Sequence, residues 1–155
     1  MTTDAYEIGW LAGIFDGEGW VGVYRSGKSY GAYLGVSNTD REMITRIFRL
    51  VGNRGRIYDK MPKNYPDHWA PYYEWRCHKR DDILAILTVL QPHLTTKAVR
   101  AGLAIQLANL IGSRNCGPVQ VNRVARNDIA VQIQALNKKG RRPDDLTRQD
   151  DDLRC

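Results

Sequence analysis

The segment Leu11-Ala12-Gly13-Ile14-Phe15-Asp16-Gly17-Glu18-Gly19 carries two patterns at once. Together with the residues before it, it has the period of an amphipathic helix. Ile8, Leu11, Ala12 and Phe15 recur at spacings of three and four, and Asp4 is placed to cap the first turn. The spacing predicts a helix from Tyr6 to Asp16, stopped by Gly17 and Gly19. The second pattern is Gly9, Gly13 and Gly17, every fourth residue, which leaves one helix face nearly bare. Small residues there let a second helix backbone approach closely, so Gly9, Ala12 and Gly13 are candidate interface residues. Glu18 falls at the helix C-terminus, the negative end of the dipole, where a carboxylate is disfavoured. Two such helices packed about a twofold axis would also set two carboxylates against each other, a repulsion that divalent cations relieve.

Working outward, Trp20–Arg25 and Tyr30–Asn38 alternate in character around Ser26-Gly27-Lys28-Ser29, which predicts a β-hairpin. Thr39-Asp40 starts a helix running to about Val51, with Met43, Ile44, Ile47, Phe48 and Val51 as its buried stripe and Gly52 at its end. Strands are expected at Arg56–Met61 and Tyr72–His78, and Pro62, Pro66 and Pro71 bar regular pairing between them. Asp81-Asp82 suit a helix N-terminus, Ile83, Leu84, Ile86, Leu87 and Leu90 fill that helix's inner face, and Gln91-Pro92 breaks it. Two further helices cover about 97–111 and 119–137, separated by Gly112–Pro118. The order αββαββααα describes an α+β fold, an antiparallel sheet with helices on one face. Residues 1–140 read as one domain and 141–155 as a charged tail, expected to be flexible.

Of the 155 residues, 43% are hydrophobic and 26% charged, the balance of a folded rather than a disordered chain. The net charge is +6, yet residues 144–155 hold five Asp and two Arg and carry −3, which leaves +9 on residues 1–143. A body that basic favours a polyanionic partner, most commonly nucleic acid. Cys77, Cys116 and Cys155 lack CxxC spacing and no His repeats at ligand intervals, so a zinc site is not expected and free thiols fit a reducing compartment. No signal-type apolar stretch opens the chain, and its greasiest segment, 98–111, is interrupted by Arg100, Gln106 and Asn109. The expectation is a soluble intracellular protein, not secreted and with no membrane partner.

Helices on one side leave the other face of the sheet uncovered, which an antiparallel sheet tolerates when that face is polar. Arg56, Tyr58 and Lys60 alternate with Ile57 and Asp59, and Tyr72, Glu74, Arg76 and His78 alternate with Tyr73, Trp75 and Cys77. A face of this kind suits base edges and phosphates in a DNA groove. Arg56, Tyr58, Lys60, Glu74, Arg76 and His78 are therefore candidate DNA contacts, with Tyr24, Lys28 and Tyr33 from the hairpin.

The nine residues quoted first resemble the signature of the LAGLIDADG homing endonucleases. Leu11, Ala12, Gly13, Asp16 and Gly19 match its letters outright, and Ile14, Phe15, Gly17 and Glu18 are like-for-like or common variants. Val36-Ser37-Asn38 and Leu90-Gln91-Pro92-His93-Leu94-Thr95-Thr96-Lys97 resemble two further segments of that family, and the likeness spans roughly residues 6–137. It implies an αββαββα core whose sheet forms a DNA-binding saddle, here with extra C-terminal helices. It also implies a DNA endonuclease dependent on Mg²⁺ or Mn²⁺, with Ca²⁺ supporting binding without cleavage; carboxylate, carbonyl and phosphate oxygens suit such ions.

On this likeness Glu18, helped by the carbonyl of Gly19, maps to the metal ligand, and Asn38 and Lys97 map to the catalytic solvent network. Asp16 reads as structural, bonding to a neighbouring loop. Asn38 is shorter than the family's frequent Gln, and either Arg41 or Arg46 could stand for its active-site arginine. One motif implies a homodimer on a long, near-palindromic double-stranded site. Gly31-Ala32-Tyr33-Leu34-Gly35 and Ala101-Gly102-Leu103-Ala104 lack the acid a second motif would need. The likeness also admits a relative that binds DNA or RNA without cutting, such as an intron maturase or a transcription regulator; retention of Glu18 and Lys97 favours catalysis.

Overall fold

A computed structural model describes residues 1–60, 71–111 and 119–138. Pro62, Pro66, the 112–118 connection and the 141–155 tail lie outside the described residues. Helix α1 (Ala5–Glu18) starts at Asp4, whose carboxylate accepts the amide of Glu7 at 2.9 Å. Its inner face is Leu11, Ala12 and Phe15, all buried. Gly9, Gly13 and Gly17 are exposed, and nothing lies within 4 Å of where a Cβ would stand on any of them.

Two expectations for this helix are corrected. The helix runs through Gly17 and ends at Glu18, and Gly19 leaves it in extended conformation (φ −80°) rather than a left-handed one. A Cβ on Gly19 would stand 2.7 Å from the Phe15 carbonyl, so this glycine serves close packing. Ala12 is 2% exposed and belongs to the core of its own chain, not to the free face. The helical step turns it toward Leu11 and Phe15 and away from the glycines.

The chain passes directly into β1 (Gly19–Ser26), which turns at Gly27 (φ +58°) into β2 (Ser29–Asn38). With β3 (Arg56–Lys60) and β4 (Tyr72–Cys77) they form one antiparallel sheet in the order β1-β2-β4-β3. Helix α2 (Arg41–Leu50) is capped by Asp40, which accepts the amides of Glu42 and Met43 at 2.8 and 3.1 Å. It leads to β3 through a tight turn in which Gly55 has φ +85°. A Cβ on Gly55 would collide with the Arg76 carbonyl and stand 2.8 Å from Trp75 Nε1. That indole N–H donates to the Arg54 carbonyl at 2.8 Å, which fixes the start of β3 against β4.

Helix α3 (Arg80–Leu90), a 3-10 turn (Gln91–His93), α4 (Ala98–Ile111) and α5 (Val119–Lys138) complete the helical layer. Ile44, Ile47, Ile83, Ile86, Leu87, Leu90, Leu107 and Ile133 form one core with Leu34, Val36, Trp75 and Cys77 of the sheet. Each such aliphatic side chain contributes about 1.5–3 kcal/mol on burial. Cys77 is buried and its thiol is pushed up to about 12, chiefly by burial, so it offers neither nucleophile nor ligand. Helix α5 is tied to the hairpin's backbone: Asn137 Nδ2 donates to the Val21 carbonyl at 3.0 Å, and Arg126 Nε to that of Tyr30 at 3.1 Å. Among the described residues no helix is long and apolar enough to cross a membrane.

Gly55→Ala should destabilise the fold by about 1–3 kcal/mol, because a Cβ meets both an unfavourable φ and two occupied positions. Urea denaturation checks this; an unchanged midpoint would contradict the turn described.

Candidate active site and nucleic-acid interface

The C-terminal turn of α1 and the entry to α4 are joined through one carboxylate. Asp16 Oδ2 accepts the Thr95 amide at 2.6 Å, and Oδ1 accepts the Lys97 amide at 2.9 Å and the Thr96 hydroxyl at 3.0 Å. Asp16 thus pins, from another helix, the segment that leads into α4. Burial alone would raise its pKa, but the hydrogen bonds from Thr95, Lys97 and Thr96 outweigh burial and hold it below the ordinary carboxylate value. The Lys97 ammonium returns the contact by donating to the Asp16 carbonyl. Lys97 is 9% exposed, which excludes a merely solvated lysine. Its charge stands at the negative end of the α1 dipole. Burial lowers its pKa, the charge of Arg100 adds to the fall, and the carboxylates of Asp16 and Glu18 oppose it.

Glu18 is exposed, and no group among the described residues bonds its carboxylate. Asp16 is saturated with donors, so Glu18 is the one free acid of the motif. No cluster of three or more His, Cys, Asp or Glu suited to a metal occurs among the described residues. One chain therefore offers one carboxylate with nearby backbone oxygens, including that of buried Gly19.

The β1–β2 ladder begins at Gly19 opposite Val36, directly after Glu18 ends α1. Asn38 Oδ1 accepts the Asp40 amide at 2.9 Å, so its side-chain oxygen is committed to the turn into α2. Arg46 lies 4.2 Å over the Trp10 ring on α1, whereas Arg41 lies 5.7 Å over Tyr73 of β4. Both arginines are stacked on aromatic faces, and Arg46 is the one set against the motif helix.

The open face of the sheet has two unlike halves. On the hairpin, Trp20, Tyr33 and Tyr24 stand opposite Gly35, Gly22 and Gly31. A Cβ on any of these glycines would run into the facing ring, so the rings lie flat over the neighbouring strand. His78 extends this patch, stacked on Tyr33 (centroids 5.6 Å apart) and edge-on to Tyr24 (5.8 Å). Burial, then the charge of Arg76, lowers the His78 pKa. The β3–β4 half is charged, with Arg56 opposite Arg76, Tyr58 opposite Glu74, and the Lys60 ammonium 5.4 Å from the Tyr58 ring. A recess of about 340 Å³ opens between Arg56, Tyr58, Arg76, His78 and Lys79.

Among the expected contacts, Tyr24, Lys28, Arg56 and His78 are exposed, and Tyr33, Tyr58, Lys60 and Arg76 are half-buried. Glu74 departs from its pattern: it is 4% exposed, and its carboxylate is paired with Arg76 Nε. Alternation places it on the open face, but its neighbours close over it. Trp20 was not singled out by sequence reasoning. The pairing of aromatics with glycines across the hairpin was the available signal for Trp20.

No protein-family model matches the sequence, nor does any curated protein. Solved structures do match by shape. I-CvuI, a homing endonuclease in complex with its target in the presence of Ca, superposes with a TM-score of 0.67 at 19% identity, over 84% of this chain and 82% of that one. The archaeal intron-encoded homing endonuclease I-Vdi141I, complexed with DNA, gives 0.70 at 16% identity over 89% and 88%. The LAGLIDADG homing endonuclease I-GzeII, with its DNA target, gives 0.62 at 16% identity over 83% of this chain and only 43% of its own. The chain has the LAGLIDADG homing endonuclease fold.

Asp16→Ala should lower stability at neutral pH by about 1.5–3 kcal/mol, the range for hydrogen bonds to a charged group. Because the folded-state pKa of Asp16 is depressed, its contribution is full above the ordinary carboxylate range and fades as pH falls through the folded value. Urea denaturation of both proteins at pH 7 and near pH 3 should show the gap closing in acid; an equal gap at both would contradict this role.

Proposed function

We propose that the chain is a divalent-metal-dependent homing endonuclease that acts as a homodimer on a long, near-palindromic DNA duplex. The observation that carries the reading is the division between the two motif acids: Asp16 is consumed by hydrogen bonds, while Glu18 is free beside a bare helix face. In this reading Gly9 and Gly13 let two α1 helices meet, and residues 1–140 form one half of the enzyme.

The donor set fits a hard cation. Glu18, the Gly19 carbonyl and the DNA phosphates offer oxygens only, which suits Mg²⁺ or Mn²⁺ for cleavage and Ca²⁺ for binding. When bound, such an ion supplies Lewis-acid activation of water and neutralises charge on the leaving 3′ oxygen. The chain's own residues do the rest. Lys97 holds a fixed positive charge beside the scissile region, where it stabilises developing negative charge. Asn38, its oxygen committed to Asp40, shapes the edge of the site. Tyr24, Lys28, Tyr33, Arg56, Tyr58, Lys60, Arg76 and His78 contact the duplex. The biological role on this reading is to cut the uninterrupted form of the enzyme's own insertion site.

The test begins with selection of bound sites from a randomised duplex library in Ca²⁺. Cleavage of the selected site in Mg²⁺ is then compared for wild type, Glu18→Gln and Lys97→Met. Glu18→Gln should cut below detection while binding as well or better, since a negative charge facing phosphates is gone. Lys97→Met should bind comparably and cut about 100-fold more slowly. Near wild-type cutting by Glu18→Gln would remove Glu18 from the metal site. A wild type that binds but cuts with no divalent ion would be a non-cutting DNA-binding relative.

A further inference from the structure

The middle of the open face holds a carboxylate that a DNA-binding surface should avoid. Glu74 lies on β4 between Tyr58 of β3 and Ser37 of β2, and is 4% exposed. A buried carboxylate is destabilising unless it is paired, and here it also repels phosphates. Its partner in charge is Arg76, two residues along the same strand and on the same face, whose Nε stands in an ion pair with Oε1, although neither atom makes a hydrogen bond. Arg76 in turn stands opposite Arg56 on β3, a like-charge pairing that destabilises an antiparallel ladder. On its other side is Gly35, which the Trp20 ring covers. Glu74 thus offsets one of two facing arginines, while the strand neighbours confine the Arg76 stem.

The consequence is chemical. A guanidinium has five N–H donors in a rigid plane. With Nε turned to the Glu74 carboxylate, the two terminal nitrogens of Arg76 point away from it, and no acceptor among the described residues meets them. The side chain is 38% exposed, so this end reaches solvent. Two parallel N–H groups match two adjacent acceptors: O6 and N7 of guanine, or two oxygens of a phosphate. The pair is neutral overall, and its carboxylate disfavours a phosphate more than an uncharged base edge. Adenine puts a donor beside its N7, and thymine and cytosine present at most one acceptor in the major groove. Arg56, which has no ion-pair partner among the described residues, keeps its full charge for the backbone.

We propose that Glu74 is a positioning residue that holds the Arg76 guanidinium end-on to the major groove, so that Arg76 reads one guanine in each half-site. The inference rests on the DNA-binding reading above and adds a specificity that the reading does not contain. Fixing the guanidinium beforehand also reduces the rotamer freedom lost on binding.

The experiment selects sites from a randomised duplex library in Ca²⁺ with the full chain, followed by competition among single-base variants of the wild-type site. Wild type should show a guanine preference at one position per half-site. Arg76→Lys keeps the charge but loses the fork, and should lower that preference about tenfold, leaving other positions unchanged. Glu74→Asp retracts the carboxylate and should do the same. Glu74→Gln should lower the preference too, and should also raise affinity for unselected duplex, because a negative charge has left the face. A merely structural Glu74 would weaken every position alike. That uniform loss, or a guanine preference intact in Arg76→Lys or in the Glu74 variants, would overturn the proposal. A wild type that enriches no duplex would instead remove the DNA-binding reading on which it rests.

Discussion

Asp16 accepts hydrogen bonds from three consecutive residues, Thr95, Thr96 and Lys97, and so ties the end of α1 to the start of α4. The joint fixes three things together. It satisfies amides at the entry to α4 that would otherwise lack partners. It brings the Lys97 ammonium onto the last turn of α1, where positive charge suits the helix dipole. It also commits one acid of the motif to structure and leaves its neighbour two residues on, Glu18, free. Without the joint, α1 would present its bare face at an undefined angle and Lys97 would have no reason to be buried. The chemistry assigned to Glu18 depends on a carboxylate that performs none.

The same economy governs the sheet. Its inner face is largely apolar and joins the helical core, while the outer face is divided between flat aromatics over glycines and paired or opposed charges. Flat rings give a smooth surface with no long flexible side chain, a low-entropy way to meet a groove. The β3–β4 half supplies directional donors and net positive charge. Alternation within single strands allows the two faces to serve different partners, one the protein's own core and the other, on the proposed reading, a polyanion.

Much of this was legible in the sequence because it is written in local periodicity. The helical stripe of Ile44, Ile47 and Val51, the hairpin, and the break at Gln91-Pro92 need only spacing and turn chemistry, and each lies where expected. The motif marked the end of α1 to within two residues, Gly17 being helical where a stop is expected. What escaped depends on contacts between distant residues. Ala12 sits beside the glycines in sequence, but its burial follows from how α1 meets the sheet. Glu74 alternates onto the open face, yet its burial follows from Tyr58, Ser37 and Arg76 closing around it. Asn38 and Asp40 are two residues apart in sequence, but only the fold shows that the amide oxygen accepts within their turn. The choice between Arg41 and Arg46 likewise needed Trp10 and Tyr73 in place.

The central claim is that one chain holds half of a catalytic site and that each half cuts one strand. Mixed dimers test it most directly. Wild-type and Glu18→Gln chains carrying different purification tags can be co-expressed, the mixed species isolated through both tags, and plasmid DNA bearing the selected site digested in Mg²⁺. The account predicts that wild-type dimers linearise the plasmid, Glu18→Gln dimers leave it supercoiled, and mixed dimers accumulate nicked circles with little linear product. Linearisation by the mixed dimer at the wild-type rate, or cleavage by a species that stays monomeric on DNA, would contradict it.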